Sequence, residues 1–188
     1  TLRLKDGVSL NYEDASTRSV TVTATDAGGL TSQQSLTVHV ADVNEAPVIT
    51  SAAAFSIAEN GAAVSTMTSI DPDAGATKSW SISGTDAALF QIDCATGALS
   101  FIAAPNYDTP QDAGADNVYD LTVAVSDGTN TTTQAVAVTV TNIDEVPALT
   151  LTGSGAIAEN AVAATVASIS ASDPDAGTTL TYTLGGAD

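Results

Sequence analysis

The amino-acid sequence predicts an all-β chain of tandem Ig-like sandwiches, and two observations carry that reading. Valine and threonine alternate with period two over long stretches, as strands with one buried face do. The chain also repeats itself: Ala58-Glu59-Asn60 returns about 100 residues on as Ala158-Glu159-Asn160. Asp71-Pro72-Asp73-Ala74-Gly75 returns as Asp173-Pro174-Asp175-Ala176-Gly177, and Asn11-Tyr12-Glu13 as Asn106-Tyr107-Asp108. Asp42-Val43-Asn44-Glu45-Ala46-Pro47 returns as Asn142-Ile143-Asp144-Glu145-Val146-Pro147. The recurring residues are mostly carboxylates and Asn, so the repeat preserves oxygen donors. Self-similarity at a fixed period means units that stack end to end.

In chain order, Val20, Val22 and Ala24 alternate with Thr21, Thr23 and Thr25, and Leu36, Val38 and Val40 with Thr37 and His39. The turn-rich Asp26-Ala27-Gly28-Gly29 between them predicts an antiparallel hairpin. Short strands follow at Phe55–Ala58, Ala63–Ile70, Ser79–Ser83, Leu89–Ile92 and Ala98–Ile102. A second hairpin joins Leu121, Val123 and Val125 to Val136, Val138 and Val140 across Asp127-Gly128-Thr129-Asn130. About seven short strands in about 100 residues is the count of an Ig-like sandwich. No amphipathic helix is expected.

Aligned on the tyrosines, residues 1–45 match the back half of a unit, residues 46–145 make one whole unit, and residues 146–188 match the front half of another. Two arrangements meet this frame. One is a slice of a longer array. The other is a subunit that polymerises head to tail, two half-units completing one sandwich between chains. Half a sandwich exposes strand edges, and such edges seek partners.

Four basic residues against 22 acidic give a net charge of −18. That balance argues against nucleic acid and against an anionic membrane surface. It suits a chain that holds cations, because the acids gather in recurring motifs. The single cysteine, Cys94, excludes an internal disulfide, so stability is expected from a large β core, metal or both. No apolar run is long enough to insert in a membrane as a helix.

Calcium takes six to eight oxygen ligands from carboxylates, carbonyls and water. Here the spare oxygens sit at strand ends and at the unit boundary. Glu59-Asn60 ends the first strand of the whole unit, and Asp71-x-Asp73, with Pro72 and Gly75 shaping the turn, follows the second. Asn106-x-Asp108 follows the fifth, Asp127 ends the sixth, and Asn142-x-Asp144-Glu145 lies past the last, before Pro147. The proline stops strand pairing and stiffens the linker. An acidic linker of this kind repels itself unless a cation is present.

This set resembles the cadherin repeat in its bacterial form. The resemblance rests on Glu59-Asn60, Asp71-Pro72-Asp73 and the hairpin Phe90-Gln91-Ile92-Asp93-Cys94-Ala95-Thr96-Gly97. It rests equally on the turns Leu10-Asn11-Tyr12-Glu13 and Pro105-Asn106-Tyr107-Asp108, on Asp127, and on the linker Asp42-Val43-Asn44-Glu45-Ala46-Pro47. The wording of the turn and linker is similar to that of giant bacterial surface adhesins, the RTX-type arrays among them.

The resemblance implies cadherin-like Greek-key β-sandwiches with a shared Ca2+ cluster, up to three ions, at each junction. At the first junction it implies Asn11 and Glu13 upstream, Asp42, Asn44 and Glu45 in the linker, and Asp71, Asp73 and Asp127 downstream. At the second it implies Glu59, Asn106 and Asp108, then Asn142, Asp144 and Glu145, then Asp173 and Asp175. Asp26 and Glu159 would belong to junctions completed by neighbouring units. Asn11 and Asn106 stand where the family has Asp, the linker is one residue shorter, and Asn142 replaces Asp42. These departures lower the expected affinity toward about 10⁻⁴–10⁻³ M.

No enzyme is expected: with one His and one Cys, no nucleophile–base arrangement is indicated. Paired Asp71 and Asp73 could suit a glycosidase, but their recurrence at Asp173 and Asp175 favours a structural role. His39 is expected to face solvent, Cys94 to be a free thiol, and Trp80 and Tyr182 to be matching core residues. The implied function is a calcium-stiffened stalk of an extracellular cell-surface adhesin, its partners calcium and neighbouring repeats. One alternative is a self-assembling extracellular filament subunit, identical subunits meeting head to tail by half-repeat exchange. The other is a carbohydrate-binding accessory module of a secreted enzyme, with a glycan or protein surface as ligand.

Overall fold

The computed structural model describes residues 1–153 and 155–186. Its strands are β1 (Thr17–Thr25), β2 (Thr31–His39), β3 (Val48–Ile49), β4 (Ala54–Ala58), β5 (Ala63–Thr66), β6 (Ser69–Ile70) and β7 (Ser79–Ser83). They continue as β8 (Phe90–Ile92), β9 (Ala98–Phe101), β10 (Val118–Ser126), β11 (Thr131–Thr141), β12 (Ala148–Thr152) and β13 (Ser168–Ser172). The only helical element among the described residues is a single 3-10 turn at Ala87–Leu89, so no helix there is long and apolar enough to cross a membrane.

The middle of the chain is a two-layer sandwich. One layer is the four-stranded sheet β4-β11-β10-β7, with β4 parallel to β11 and β7 antiparallel to β10. The other is β5-β9-β8, and β3 pairs with β6 beside it. Alternation decides what lies between the layers. Tyr119, Leu121, Val123 and Val125 of β10 and Val136, Val138 and Val140 of β11 are all buried. Phe90 and Phe101 close the core, their rings 4.0 Å apart, and Phe101 meets Tyr119 edge-on at 5.0 Å. Each such side chain contributes about 1.5–3 kcal/mol on burial. Trp80 belongs to this core, as its sequence position suggests.

One expected strand is two. The stretch 63–70 breaks at Met67-Thr68, so that β5 pairs with β9 and β6 with β3. The Met67 N–H donates to the Gly97 carbonyl at 2.8 Å, while the Thr68 carbonyl accepts from Thr50 N–H at 2.8 Å. Backbone bonding thus hands the chain from one sheet to the other. Gly97 permits it: φ is +75°, and a Cβ there would stand 2.7 Å from the Met67 carbonyl oxygen.

Outside the sandwich, β1 and β2 form a hairpin of their own, and among the described residues β12 pairs only with β13. Residues 181–185, which match β7 in sequence, form no strand. Tyr182, expected as a core residue like Trp80, is instead exposed. The reason is pairing. β7 is held by its ladder to β10, and among the described residues 181–185 have no such neighbour; isolated strands are at best marginal in water. His39 and Cys94 are exposed, as expected.

Candidate metal centres at the two linkers

The first centre is assembled around the turn that follows β6. Asp71 Oδ1 accepts from the Asp73 N–H at 3.0 Å, which closes the turn on itself. Asp73 Oδ2 then accepts from the Glu45 N–H at 2.9 Å and so holds the linker. Asn44 adds a second hold, its amide donating to Asp127 Oδ2 at 2.9 Å, while Asn130 donates back to the Asn44 carbonyl at 3.2 Å. The backbone N–H of Asn130, the Asn44 amide and the backbone N–H of Thr129 keep the Asp127 carboxyl below the usual range. On the upstream side Asn11 Oδ1 accepts from the Glu13 N–H at 2.7 Å. Glu13, Asp42 and Asp73 thereby bring one carboxylate oxygen each within 4.8 Å of one another. Glu45 Oε2 and Asp71 Oδ2 are buried without a hydrogen-bond partner. Burial, and then the charges of Glu13, Asp73 and Asp42, push the Glu45 carboxyl up.

The second centre follows the same plan with one added member. Glu59, at the end of β4, is 1% exposed. Its Oε2 accepts from Tyr107 N–H at 2.9 Å and its Oε1 from Ile143 N–H at 2.8 Å, so it joins the 106–108 turn to the linker. Asn106 Oδ1 caps that turn, accepting from the Thr109 N–H at 2.9 Å and hydroxyl at 3.0 Å. Downstream, Asp175 accepts the Asn142 amide at 2.7 Å and the Glu145 N–H at 2.8 Å, and Asp173 Oδ1 accepts the Asp175 N–H at 3.0 Å. The Asn142 amide and the Glu145 N–H hold the Asp175 carboxyl low. Glu59, Asp108 and Glu145 each place an oxygen within 4.8 Å of the other two. Asp108 Oδ2 and Glu145 Oε2 are buried without a partner. Burial, then Asp175, Glu59 and Asp173, raise the Asp108 carboxyl. Burial, then Glu59, Asp175 and Asp108, raise that of Glu145.

The residues singled out from the sequence therefore divide by role. Two tight groups contain Glu13, Asp42 and Asp73, and Glu59, Asp108 and Glu145. Glu45 and Asp71 add orphaned oxygens at the first linker. Asn11, Asn44, Asn106 and Asn142 engage their side chains in hydrogen bonds that shape turns or hold Asp127 and Asp175. Asp144 is exposed and lies outside the tight groups.

Two buried carboxylates escaped sequence reasoning. Asp86 accepts from Ala113 N–H at 2.9 Å and Asp120 N–H at 2.7 Å. Asp112 accepts from the N–H groups of Asp116 and Asn117, each at 3.0 Å. Burial opposes ionisation of Asp112, but those N–H groups outweigh it and the carboxyl is held low. Both carboxylates are spent on backbone donors, so they fasten the loop before β10. Their one sequence signal is turn composition, Asp112-Ala113-Gly114 and Asp116-Asn117.

The donor set fits a hard divalent cation. Carboxylate oxygens converge at each linker, and those of Glu45, Asp71, Asp108 and Glu145 include a buried oxygen without a hydrogen-bond partner; burying such charge unpaired is costly. The four basic residues, Arg3, Lys5, Arg18 and Lys78, lie outside both linkers. Among them Lys78 is engaged with the Ser69 carbonyl at 2.7 Å.

No family model and no curated protein matches the chain. Solved structures do. Protocadherin Gamma B2 extracellular cadherin domains 3-6 are 25% identical with a TM-score of 0.62, over 90% of this chain and 46% of that one. PcdhgB3 EC1-4 is 26% identical with a TM-score of 0.57, over 90% and 43%. Mouse Cadherin-23 EC22-24, 22% identical, shares the fold with a TM-score of 0.54, over 72% and 45%. The fold is cadherin-like. This chain spans less than half the length of the structures it matches. In the cadherin-like arrangement both carboxylate groups stand where a linker passes from one set of sheets to the next.

Proposed function

We propose that this chain is a calcium-binding, non-enzymatic repeat segment of an extracellular adhesion protein, and that it works by stiffness and reach. One observation carries the reading. At each linker, carboxylates from before it, within it or after it converge within 4.8 Å, with buried oxygens left unpartnered. Residues 46–145 form the whole unit in this reading, flanked by the partial units 1–45 and 146–188. The finer setting is a long array on a bacterial surface, of the RTX-adhesin type.

Glu13, Asp42, Glu45, Asp71 and Asp73 would hold calcium at the first linker, and Glu59, Asp108 and Glu145 at the second. Bound there, calcium would supply the positive charge these carboxylates share. The chain's own residues do the rest. Asp73 and Asp175 latch each linker to the turn that follows it. Glu59 latches the second linker to the unit before it. Uncompensated, the raised carboxylates of Glu45, Asp108 and Glu145 strain the same hinges. Ligation is thereby linked to order between units.

Thermal unfolding and small-angle scattering, with calcium and then with chelator, test this. The expected result is a higher Tm and a longer, stiffer particle with calcium. At 100 times Kd the stabilisation is about 2.7 kcal/mol. No change in either measurement would remove the calcium reading.

A further inference from the structure

We propose that Asn117 is a positioning residue for the second metal centre: by holding the Tyr107 carbonyl it fixes the 106–108 turn, and so sets how tightly Asp108 binds a divalent cation. This rests on the calcium reading of the linkers. The Asn117 side-chain amide donates to the Tyr107 carbonyl at 2.9 Å. The Tyr107 N–H donates in turn to Glu59 Oε2 at 2.9 Å. Both peptide groups of Tyr107 are therefore gripped, one by Glu59 and the other by Asn117. The second of these peptides leads directly into Asp108, one of whose carboxylate oxygens stands within 4.8 Å of those of Glu59 and Glu145. The Tyr107 ring is exposed, so the turn is held by its backbone.

Asn117 is itself fixed along its backbone. Its N–H donates to Asp112 Oδ1 at 3.0 Å, and its carbonyl accepts the Val140 N–H at 2.9 Å. Asp86 ties the same loop to β10 through the N–H groups of Ala113 and Asp120. The two buried carboxylates outside the metal centres thus support the amide that holds the metal turn. The φ of Asn117 is +63°, a region that Asn enters more readily than most residues with a Cβ. Glycine would meet that backbone need with no side chain to bury. Instead a side-chain amide is buried, the residue being 7% exposed, and its Oδ1 has no hydrogen-bond partner. An orphaned buried oxygen is costly. What the site gains in return is the Nδ2 donor, the only end of the amide that can serve a carbonyl.

The first centre is built without this amide. The Ser16 carbonyl accepts the Val40 N–H at 2.9 Å as the Asn117 carbonyl accepts that of Val140, so Ser16 is the counterpart of Asn117. The turns before them match too, Asn11-Tyr12-Glu13 and Asn106-Tyr107-Asp108. The loop that carries Asp112 and Asp116 lies between Asn106 and Asn117 and has no counterpart between Asn11 and Ser16. The first linker is therefore an internal reference for any change made at Asn117. Groups that orient metal ligands typically alter affinity by 10–100-fold. Asn117 acts through one peptide, so about tenfold is expected.

Backbone amide resonances of the 188-residue chain test this in the parent, Asn117→Gly and Asn117→Ala. Glycine keeps the left-handed backbone and removes the donor; alanine removes the donor and strains the backbone as well. In chelator, solvent exchange of the Tyr107 N–H is expected to quicken in both variants, about tenfold more than that of Val123 in β10. With calcium added stepwise, the Glu145 amide reports the second linker and the Glu45 amide the first. The calcium midpoint at Glu145 is expected to rise about tenfold in both variants while that at Glu45 stays put. A merely structural role would lower stability and leave the Glu145 midpoint unmoved. That result, an equal rise at Glu45, a rise confined to the alanine variant, or Tyr107 exchange unchanged relative to Val123 overturns the proposal. If Tyr107 exchange quickens but neither amide of the parent responds to calcium, the calcium reading falls, and Asn117's part in affinity falls with it. Fluorescence of Trp80, the single tryptophan, verifies that each variant keeps its central sandwich.

Discussion

The backbone N–H of Glu145 donates to Oδ2 of Asp175 at 2.8 Å, and the Glu45 N–H repeats that bond to Asp73 at 2.9 Å. Each linker is therefore latched to the unit that follows it before any cation is considered. The preceding side differs between the two. Glu59 accepts the Ile143 N–H at the second linker, whereas the first linker has no hydrogen bond to a preceding unit among the described residues. In chelator, Glu59→Ala is expected to loosen the second linker by removing this bond. Spin-label distance distributions across the second linker check this: narrow in the parent and broader in the variant is the expected pattern. Equal widths would show that the Glu59 bond does not persist in solution.

Glu59 is expected to matter for folding as well as for binding. It is buried, and both of its oxygens serve backbone N–H groups, those of Tyr107 and Ile143. Glu59→Ala leaves two donors without an acceptor, at a cost of about 2–3 kcal/mol. Glu59→Gln keeps one acceptor oxygen and should cost less. The midpoint of urea unfolding, read by Trp80 fluorescence at an unchanged slope, measures both. An alanine variant as stable as the parent would mean that water replaces the carboxylate.

The pH response without calcium follows from two opposed sets of carboxyls. Glu45, Glu145 and Asp108 have folded values raised above their ordinary 4.5, 4.5 and 3.8, chiefly by burial. A raised acid binds its proton more tightly when folded, so its favourable contribution is present below the ordinary value and lost as pH rises through the folded one. Asp112, Asp127 and Asp175 have folded values below 3.8, so their contribution is present above that value and lost as pH falls through the folded one. In chelator, stability is thus expected to rise on acidification from neutrality toward about pH 4.5, then fall in stronger acid. Calcium binding needs the same groups ionised, so affinity should weaken over the first of these windows. A flat Tm in chelator between neutrality and that point would remove the electrostatic strain from the account.

The two hairpins β1–β2 and β10–β11 and both carboxylate groups were legible because they are local or repeated. Alternation marks β10 and β11 directly, and Glu13, Asp42 and Asp73 stand in motifs that occur twice. The break at Met67-Thr68 was not legible, since it depends on Gly97, distant in sequence but adjacent in the fold. Nor was the exposure of Tyr182, which depends on whether a hairpin pairs beside it. Asp86 and Asp112 were missed because their partners are backbone N–H groups, which carry no side-chain signature.

Gly97 and Gly128 separate crowding from backbone strain. Both have positive φ, +75° and +97°. A Cβ at Gly97 would lie 2.7 Å from the Met67 carbonyl oxygen and 3.0 Å from the Trp80 indole nitrogen, whereas one at Gly128 meets nothing within 4 Å. Gly128→Ala is expected to cost only the conformational penalty, about 1–2 kcal/mol. Gly97→Ala adds a backbone clash at the point where the chain changes sheets, and should cost about 3 kcal/mol or more. Urea midpoints of the two variants decide the matter. A larger loss at Gly97, with Trp80 emission shifted to the red, is the expected outcome. Equal losses would show that the Met67 backbone yields, and that the break between β5 and β6 does not depend on a glycine at that position.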